Sequence, residues 1–282
     1  MTRHKKHSAT TEKVIAHEIY STNRSGGTSL KLSLSNGIFS EYPLAESIAA
    51  VKRVGFENLE FNMKCVEEED EKAVYPAKKF IEAHGLNCLT LHSATLPVEN
   101  ETEILRAIYY VKVSADFASK LSAPVMVVHS NVSRKLPEKT RRKFLTQIFG
   151  ELNPYAKRLG VKLALENLSN PSKSFGANPA EMEEVLGVIG GDVGVTLDFC
   201  HAETTGQTLN LLEKYGNRLL NVHVSNRRHK PFNRETEALQ AFLAKLREHA
   251  YSGPLTIELN SKCTTKQIQE TKATLEKILD KV

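Results

Sequence analysis

From Leu30 onward, short apolar, β-branched runs alternate without a break with longer stretches of helical period. The strand-like runs are Lys31–Ser35, Asn58–Phe61, Leu86–Leu91, Val125–Val128, Val161–Leu165, Gly194–Leu197, Leu219–Val222 and Leu255–Ile257. The helix-like stretches lie near 43–54, 72–84, 101–120, 138–159, 179–189, 206–215, 235–249 and 264–281. Pro43, Pro76 and Pro179 suit first helical turns. Gly85 and Gly160 each stand directly before a strand, where a left-handed residue ends a helix. Strict alternation predicts parallel strands joined by right-handed crossovers. Eight such units, over about 250 residues, predict an α/β fold, a single (β/α)8 TIM barrel spanning 30–282. No Gly-x-Gly-x-x-Gly follows the first strand, which argues against a doubly wound sheet.

Composition agrees with this picture. Of 282 residues, 40% are hydrophobic and 25% charged, which supports a large core and excludes disordered, collagen-like or coiled-coil chains. Cys65, Cys88, Cys200 and Cys263 stand far apart, so a disulfide scaffold or zinc ribbon is not expected and a reducing, cytoplasmic setting is. No apolar run approaches the roughly 18 residues of a membrane span. Behind Arg3, Lys5 and Lys6 the longest apolar stretch is Val14-Ile15-Ala16, so no secretory signal is expected.

The net charge of +5 is unevenly placed. Residues 1–31 carry six Lys/Arg against two Glu, leaving 32 basic and 31 acidic residues in the remainder. Residues 1–29, ending in Ser25-Gly26-Gly27-Thr28-Ser29, read as a flexible basic extension. The nearly neutral body gives little support for a phosphate-backbone partner.

In a TIM barrel the chemistry lies at the C-terminal strand ends. Strands three to eight close, in order, on His92, His129, Glu166, Asp198, His223 and Glu258, each terminating an otherwise apolar run. A charge in that position is costly unless paired or metal-bound, and converging carboxylates repel one another. A divalent cation relieves the repulsion, and mixed imidazole and carboxylate donors suit Zn²⁺, Mn²⁺ or Co²⁺. Glu60, at the end of strand two, reads as a cap or ion-pair partner rather than a ligand, and Cys200 as a small buried filler.

The ordered set Glu166, Asp198, His223 and Glu258, separated by 32, 25 and 35 residues, resembles the xylose isomerase-like TIM-barrel superfamily, in particular D-tagatose 3-epimerase-like and hydroxypyruvate isomerase-like sugar enzymes. Asp198-Phe-Cys-His201 is similar to that superfamily's Asp-x-x-His on strand six. The resemblance implies that these four residues hold one divalent metal and that Glu166 and Glu258 are also the acid/base pair. It departs at Ser172, where those epimerases carry a further Glu, and at His229, where they carry a substrate-binding Arg.

The superfamily also contains endonuclease IV, a three-zinc enzyme of abasic DNA. His92 and His129 resemble its two further zinc ligands. His201 with Arg227-Arg228-His229 resembles its third zinc site, with Arg227 where that enzyme has a carboxylate. Two functions follow from the resemblance. One is a metal-dependent isomerase or epimerase of a sugar or sugar-phosphate-like hydroxy-carbonyl compound, by proton transfer through a metal-stabilised enediolate. In it His201, Arg227, Arg228 and His229 contact substrate, and one ion suffices. The other is an endonuclease IV-like phosphodiesterase, with His92, His129 and Glu166 around a second ion and nucleic acid as partner. Neither reading involves a membrane; a homo-oligomer is left open.

Overall fold

The computed structural model describes residues 30–67, 70–190 and 192–281. The basic extension read over residues 1–29 lies outside them. The described chain forms a closed barrel of eight parallel strands in sequential order. The strands are β1 (Lys31–Ser35), β2 (Asn58–Asn62), β3 (Asn87–His92), β4 (Val125–Val128), β5 (Lys162–Glu166), β6 (Gly194–Asp198), β7 (Leu219–Val224) and β8 (Pro254–Ile257). Closure is made by β8 on β1, with Leu32 opposite Leu255 and Leu34 opposite Ile257.

The α-helices among the described residues are α1 (Leu44–Arg53), α2 (Val74–Ala83), α3 (Ile104–Lys120), α4 (Glu138–Arg158), α5 (Pro179–Ile189), α6 (Phe199–Thr205), α7 (Thr208–Tyr215), α8 (Glu237–Glu248) and α9 (Thr265–Leu279). Each expected helix is present. One was not expected: α6 follows Asp198 without a break, because the Asp198 carboxylate caps it by accepting from the His201 backbone N–H at 2.8 Å. Pro43 is the N-cap residue of α1 rather than its first helical residue. Gly85 and Gly160 do take positive φ, +59° and +72°. No helix of the described residues is long and apolar enough to cross a membrane.

Period-two alternation along the strands divides the barrel into two environments. Leu34, Leu59, Phe61, Met126, Val222 and Ile257 belong to the main apolar core with helix residues such as Phe117, Leu145 and Phe242. Each such fully buried large side chain contributes about 1.5–3 kcal/mol of transfer free energy. The alternate residues are mostly polar and fully buried: Ser33, Glu60, Thr90, Thr196, Asn221 and Thr256. Beside them Val125, Ala164 and Leu220 make a small separate apolar cluster. Gly194 opens the space for it, since a Cβ there would meet Leu220 Cδ1 at 2.5 Å. The barrel therefore carries a polar interior toward the strand ends where Glu166, Asp198 and His223 stand.

Candidate metal centre

The strand register assembles the six strand-end residues. His92, Glu166 and Asp198 are the last residues of β3, β5 and β6; His223 is the penultimate residue of β7; His129 and Glu258 directly follow β4 and β8. Asp198 lies opposite His223 in the β6–β7 ladder. One potential ligand atom from each of Glu166, Asp198, His223 and Glu258 lies within 4.8 Å of all the others. The same holds for His92, His129 and Glu166, for His92, His223 and Glu258, and for Asp198, His201 and His229.

Glu166 is the hub. Its Oε2 lies 2.9 Å from His129 Nε2 and 3.3 Å from His92 Nε2. Its Oε1 lies 3.2 Å from His223 Nδ1 and 3.4 Å from His201 Nδ1. Glu258 approaches His223 Nδ1 at 3.4 Å and His229 Nδ1 at 3.8 Å. Asp198 spends Oδ1 on the cap of α6, while Oδ2 is buried with no hydrogen-bond partner among the described residues. That orphaned oxygen, set among the carboxylates of Glu166 and Glu258 and the imidazoles of His201, His223 and His229, is what a cation site requires.

The outer hydrogen bonds decide which nitrogen each imidazole offers, because a nitrogen facing a carbonyl must be the protonated one. His92 Nδ1 donates to Ser93 O at 3.1 Å, His201 Nδ1 to Asn167 O at 3.0 Å and His229 Nδ1 to Glu258 O at 3.2 Å. His92 thus presents Nε2 to Glu166, whereas His201 and His229 meet through their Nε2 atoms at 3.0 Å. His223 is reversed: its Nε2 lies 2.9 Å from Glu60 Oε2, and Nδ1 faces the centre.

The electrostatics follow. Burial would raise the Glu166 pKa, but the His223 charge and hydrogen bonds from His129, His201 and His223 hold it well below the usual carboxylate range. Burial would also raise Glu258, yet the charges of His223 and His229 keep it down to about 2. Asp198 is raised, chiefly by burial. Burial would lower His223, but Glu60, Glu166 and Glu258 drive it well above its ordinary value. His129 is the one imidazole of the group that burial pushes down. Without a cation, then, the group holds together as a cluster of imidazolium and carboxylate. The nitrogen and oxygen donors that converge fit Zn²⁺, Mn²⁺ or Co²⁺.

His229 is brought into this cluster; Arg227 and Arg228 are not. They stand exposed on a tight turn, with Arg228 at φ 60°, ψ 36° and His229 at φ 52°. The turn is held by Asn226 and Lys230 bonding each other's backbones and by the Asn260 backbone N–H donating to His229 O at 2.9 Å. Ser172 stands in a loop where its carbonyl accepts from Arg134 Nε at 3.2 Å. Cys200 is buried, and its Sγ accepts from the His229 N–H at 3.5 Å. One residue escaped the sequence reading, and a second has a partner it did not name. Asn167 ties β5 to β6 by donating to Asp198 O (3.0 Å) and accepting from Asp198 N (2.8 Å). Glu60, expected as an ion-pair partner, is one, but its partner is His223 inside the barrel. A charged residue inside a buried strand is the signal that marks Glu60; Asn167, one residue past β5, carries no such signal.

A model of the xylose isomerase-like TIM barrel family matches residues 48–280. The chain belongs to that family. Within the xylose isomerase-like family its solved neighbours include a D-tagatose 3-epimerase-like protein, 21% identical, with TM-score 0.74 over 89% of this chain and 99% of that one. They also include an AP endonuclease, family 2, from Brucella melitensis, 17% identical, with TM-score 0.73 over 88% of this chain and 99% of that one. At these identities the likeness is one of fold. The Methanocaldococcus jannaschii protein MJ1311 is 28% identical over 153 residues, 50% of this chain and 52% of that protein, so the match spans about half of the curated relative.

Proposed function

We propose that this chain is a divalent-metal-dependent isomerase or epimerase of a small polyhydroxy carbonyl compound. The observation that carries the reading is the tetrad Glu166, Asp198, His223 and Glu258, whose ligand atoms converge within 4.8 Å at the ends of four consecutive strands. These four residues would hold the metal. Bound there, the cation supplies a Lewis acid for two neighbouring substrate oxygens. Glu258 is the group placed to move the proton. Its carboxylate is 13% exposed, against 0% for Glu166, and it is not enclosed by four imidazoles. It would take the proton from the carbon beside the carbonyl; Glu166, across the centre, would be the second half of the pair, passing a proton drawn from the adjacent His92 imidazolium to the opposite face, and Glu258 would then give its proton to solvent. His201 and His229, paired through their Nε2 atoms, would hydrogen-bond substrate hydroxyls. Arg227 and Arg228, exposed at the rim, suit a phosphate or carboxylate on the distal end of the substrate.

One observation favours a second reading, a phosphodiesterase of the endonuclease IV kind. The two oxygens of Glu166 face different histidine pairs, His92 with His129 and His201 with His223, as a bridging carboxylate would. Metal content separates the two. Elemental analysis of the purified protein, with native mass spectrometry, should give one divalent ion per chain. Two or three ions per chain would transfer the conclusion to the hydrolase.

A further inference from the structure

Glu60 stands fully buried in the barrel interior, in β2, on the far side from its partner in β7. Three donors converge on a single oxygen of it. Thr90 Oγ1 donates to Oε2 at 2.9 Å, Asn221 Nδ2 at 3.3 Å and His223 Nε2 at 2.9 Å. The Asn221 amide is itself oriented, since its Oδ1 accepts from Thr256 Oγ1 at 3.1 Å. The other oxygen, Oε1, is buried with no hydrogen-bond partner among the described residues. A buried carboxylate with one oxygen bare is expensive, and a merely structural polar contact between Thr90 and Asn221 needs no charge. The charged partner that repays it is His223.

We infer that Glu60 is the positioning residue of the metal centre: it holds His223 with Nε2 protonated, so that Nδ1 is the atom presented to the cation. The inference rests on the metal reading above. Two facts on opposite sides of one ring support it. Nε2 is committed to Glu60, and Nδ1 lies 3.2 Å from Glu166 Oε1, 3.4 Å from Glu258 Oε2 and 3.9 Å from Asp198 Oδ2. His92, stacked on the same ring at 5.7 Å and 12°, uses a backbone carbonyl for the corresponding purpose and so presents the opposite nitrogen. A carboxylate does what the carbonyl cannot: its charge raises the basicity of the ligating nitrogen.

The test compares zinc affinity, measured by chelator competition, in wild type, Glu60→Gln and Glu60→Leu, with thermal unfolding of each metal-free protein as the control for folding. Glu60→Gln keeps the shape and an accepting oxygen but removes the charge, and should weaken zinc binding by about 10–100-fold. Glu60→Leu, with no acceptor, should weaken it further. A long-range proton–nitrogen correlation spectrum of the zinc-loaded wild type provides the second readout. It should show His223 protonated on Nε2 and ligating through Nδ1, and it decides the matter even where a variant does not fold. Zinc affinity unchanged in folded Glu60→Gln, or ligation through Nε2, would overturn the positioning role while leaving the metal centre standing. A wild-type protein that takes up no divalent ion would remove both.

Discussion

His201 and His229 face each other through their Nε2 atoms at 3.0 Å, while the Nδ1 of each is tied to a backbone carbonyl. With His201 held protonated by Asp198 and Glu166, its Nε2–H donates to His229 Nε2. The pair is therefore a hydrogen-bonding partner for a substrate hydroxyl, built beside the tetrad but not needed to complete it.

This arrangement predicts a separation of roles. His229→Ala should leave the tetrad's metal in place and weaken substrate, raising KM by about 10-fold or more, the cost of a hydrogen bond in a charged site. Steady-state kinetics alongside elemental analysis reads both. Complete loss of metal in this variant would mean that the ion sits against His229 rather than in the tetrad.

The pH dependence of the metal-free protein follows from two groups. Burial would lower His201, but the charges of Asp198 and Glu166 outweigh it and raise its pKa from 6.5 to about 10. A raised pKa stabilises the fold fully below 6.5 and less as the pH climbs toward about 10. Glu258, depressed from 4.5 to about 2, stabilises above 4.5 and loses its contribution as the pH falls toward about 2. The melting temperature of chelator-treated protein should thus be highest between pH 4.5 and 6.5. A cation has to displace the imidazole protons, so the stabilisation by added zinc should grow from about pH 6 to about pH 8. A zinc-induced shift that shrinks over that interval would contradict the protonated cluster.

A third prediction concerns the packing that supports Asp198. Gly194 opens β6, and a Cβ there would meet Leu220 Cδ1 and Cγ at 2.5 Å. Gly194→Ala should destabilise by about 1–3 kcal/mol, the usual cost of overpacking. Gly194→Ala with Leu220→Ala should recover part of it, because the clash is with that side chain. Chemical denaturation of the two variants measures this; equal loss in both would place the strain in the backbone.

The barrel and the convergence of strand-end residues were legible because each of the six residues closes an apolar run, where burial makes a charge conspicuous. Glu60 and His223 are 163 positions apart and meet across the barrel interior, a contact set by strand order and stagger rather than by local pattern. Helix α6 was hidden for a different reason. Asp198 serves with one oxygen as its cap and turns the other to the cluster, and a residue read as a ligand does not advertise a helix start. Arg227 and Arg228 were expected beside His229; two successive left-handed residues, Arg228 and His229, bring the imidazole in and leave both guanidinium groups exposed.

The central claim is that Glu258 moves a proton on carbon. It is tested by incubating the wild type and Glu258→Gln with candidate ketoses and hydroxy-aldehydes in heavy water, with abasic-site DNA in a parallel reaction. The wild type should introduce deuterium beside the carbonyl. Glu258→Gln, which keeps a ligating oxygen but loses most of its basicity, should retain some metal and lose about 10²–10⁴-fold in exchange rate. The DNA should stay intact. Efficient nicking of the abasic DNA by the wild type, with no deuterium entering any of the sugars, would contradict the account.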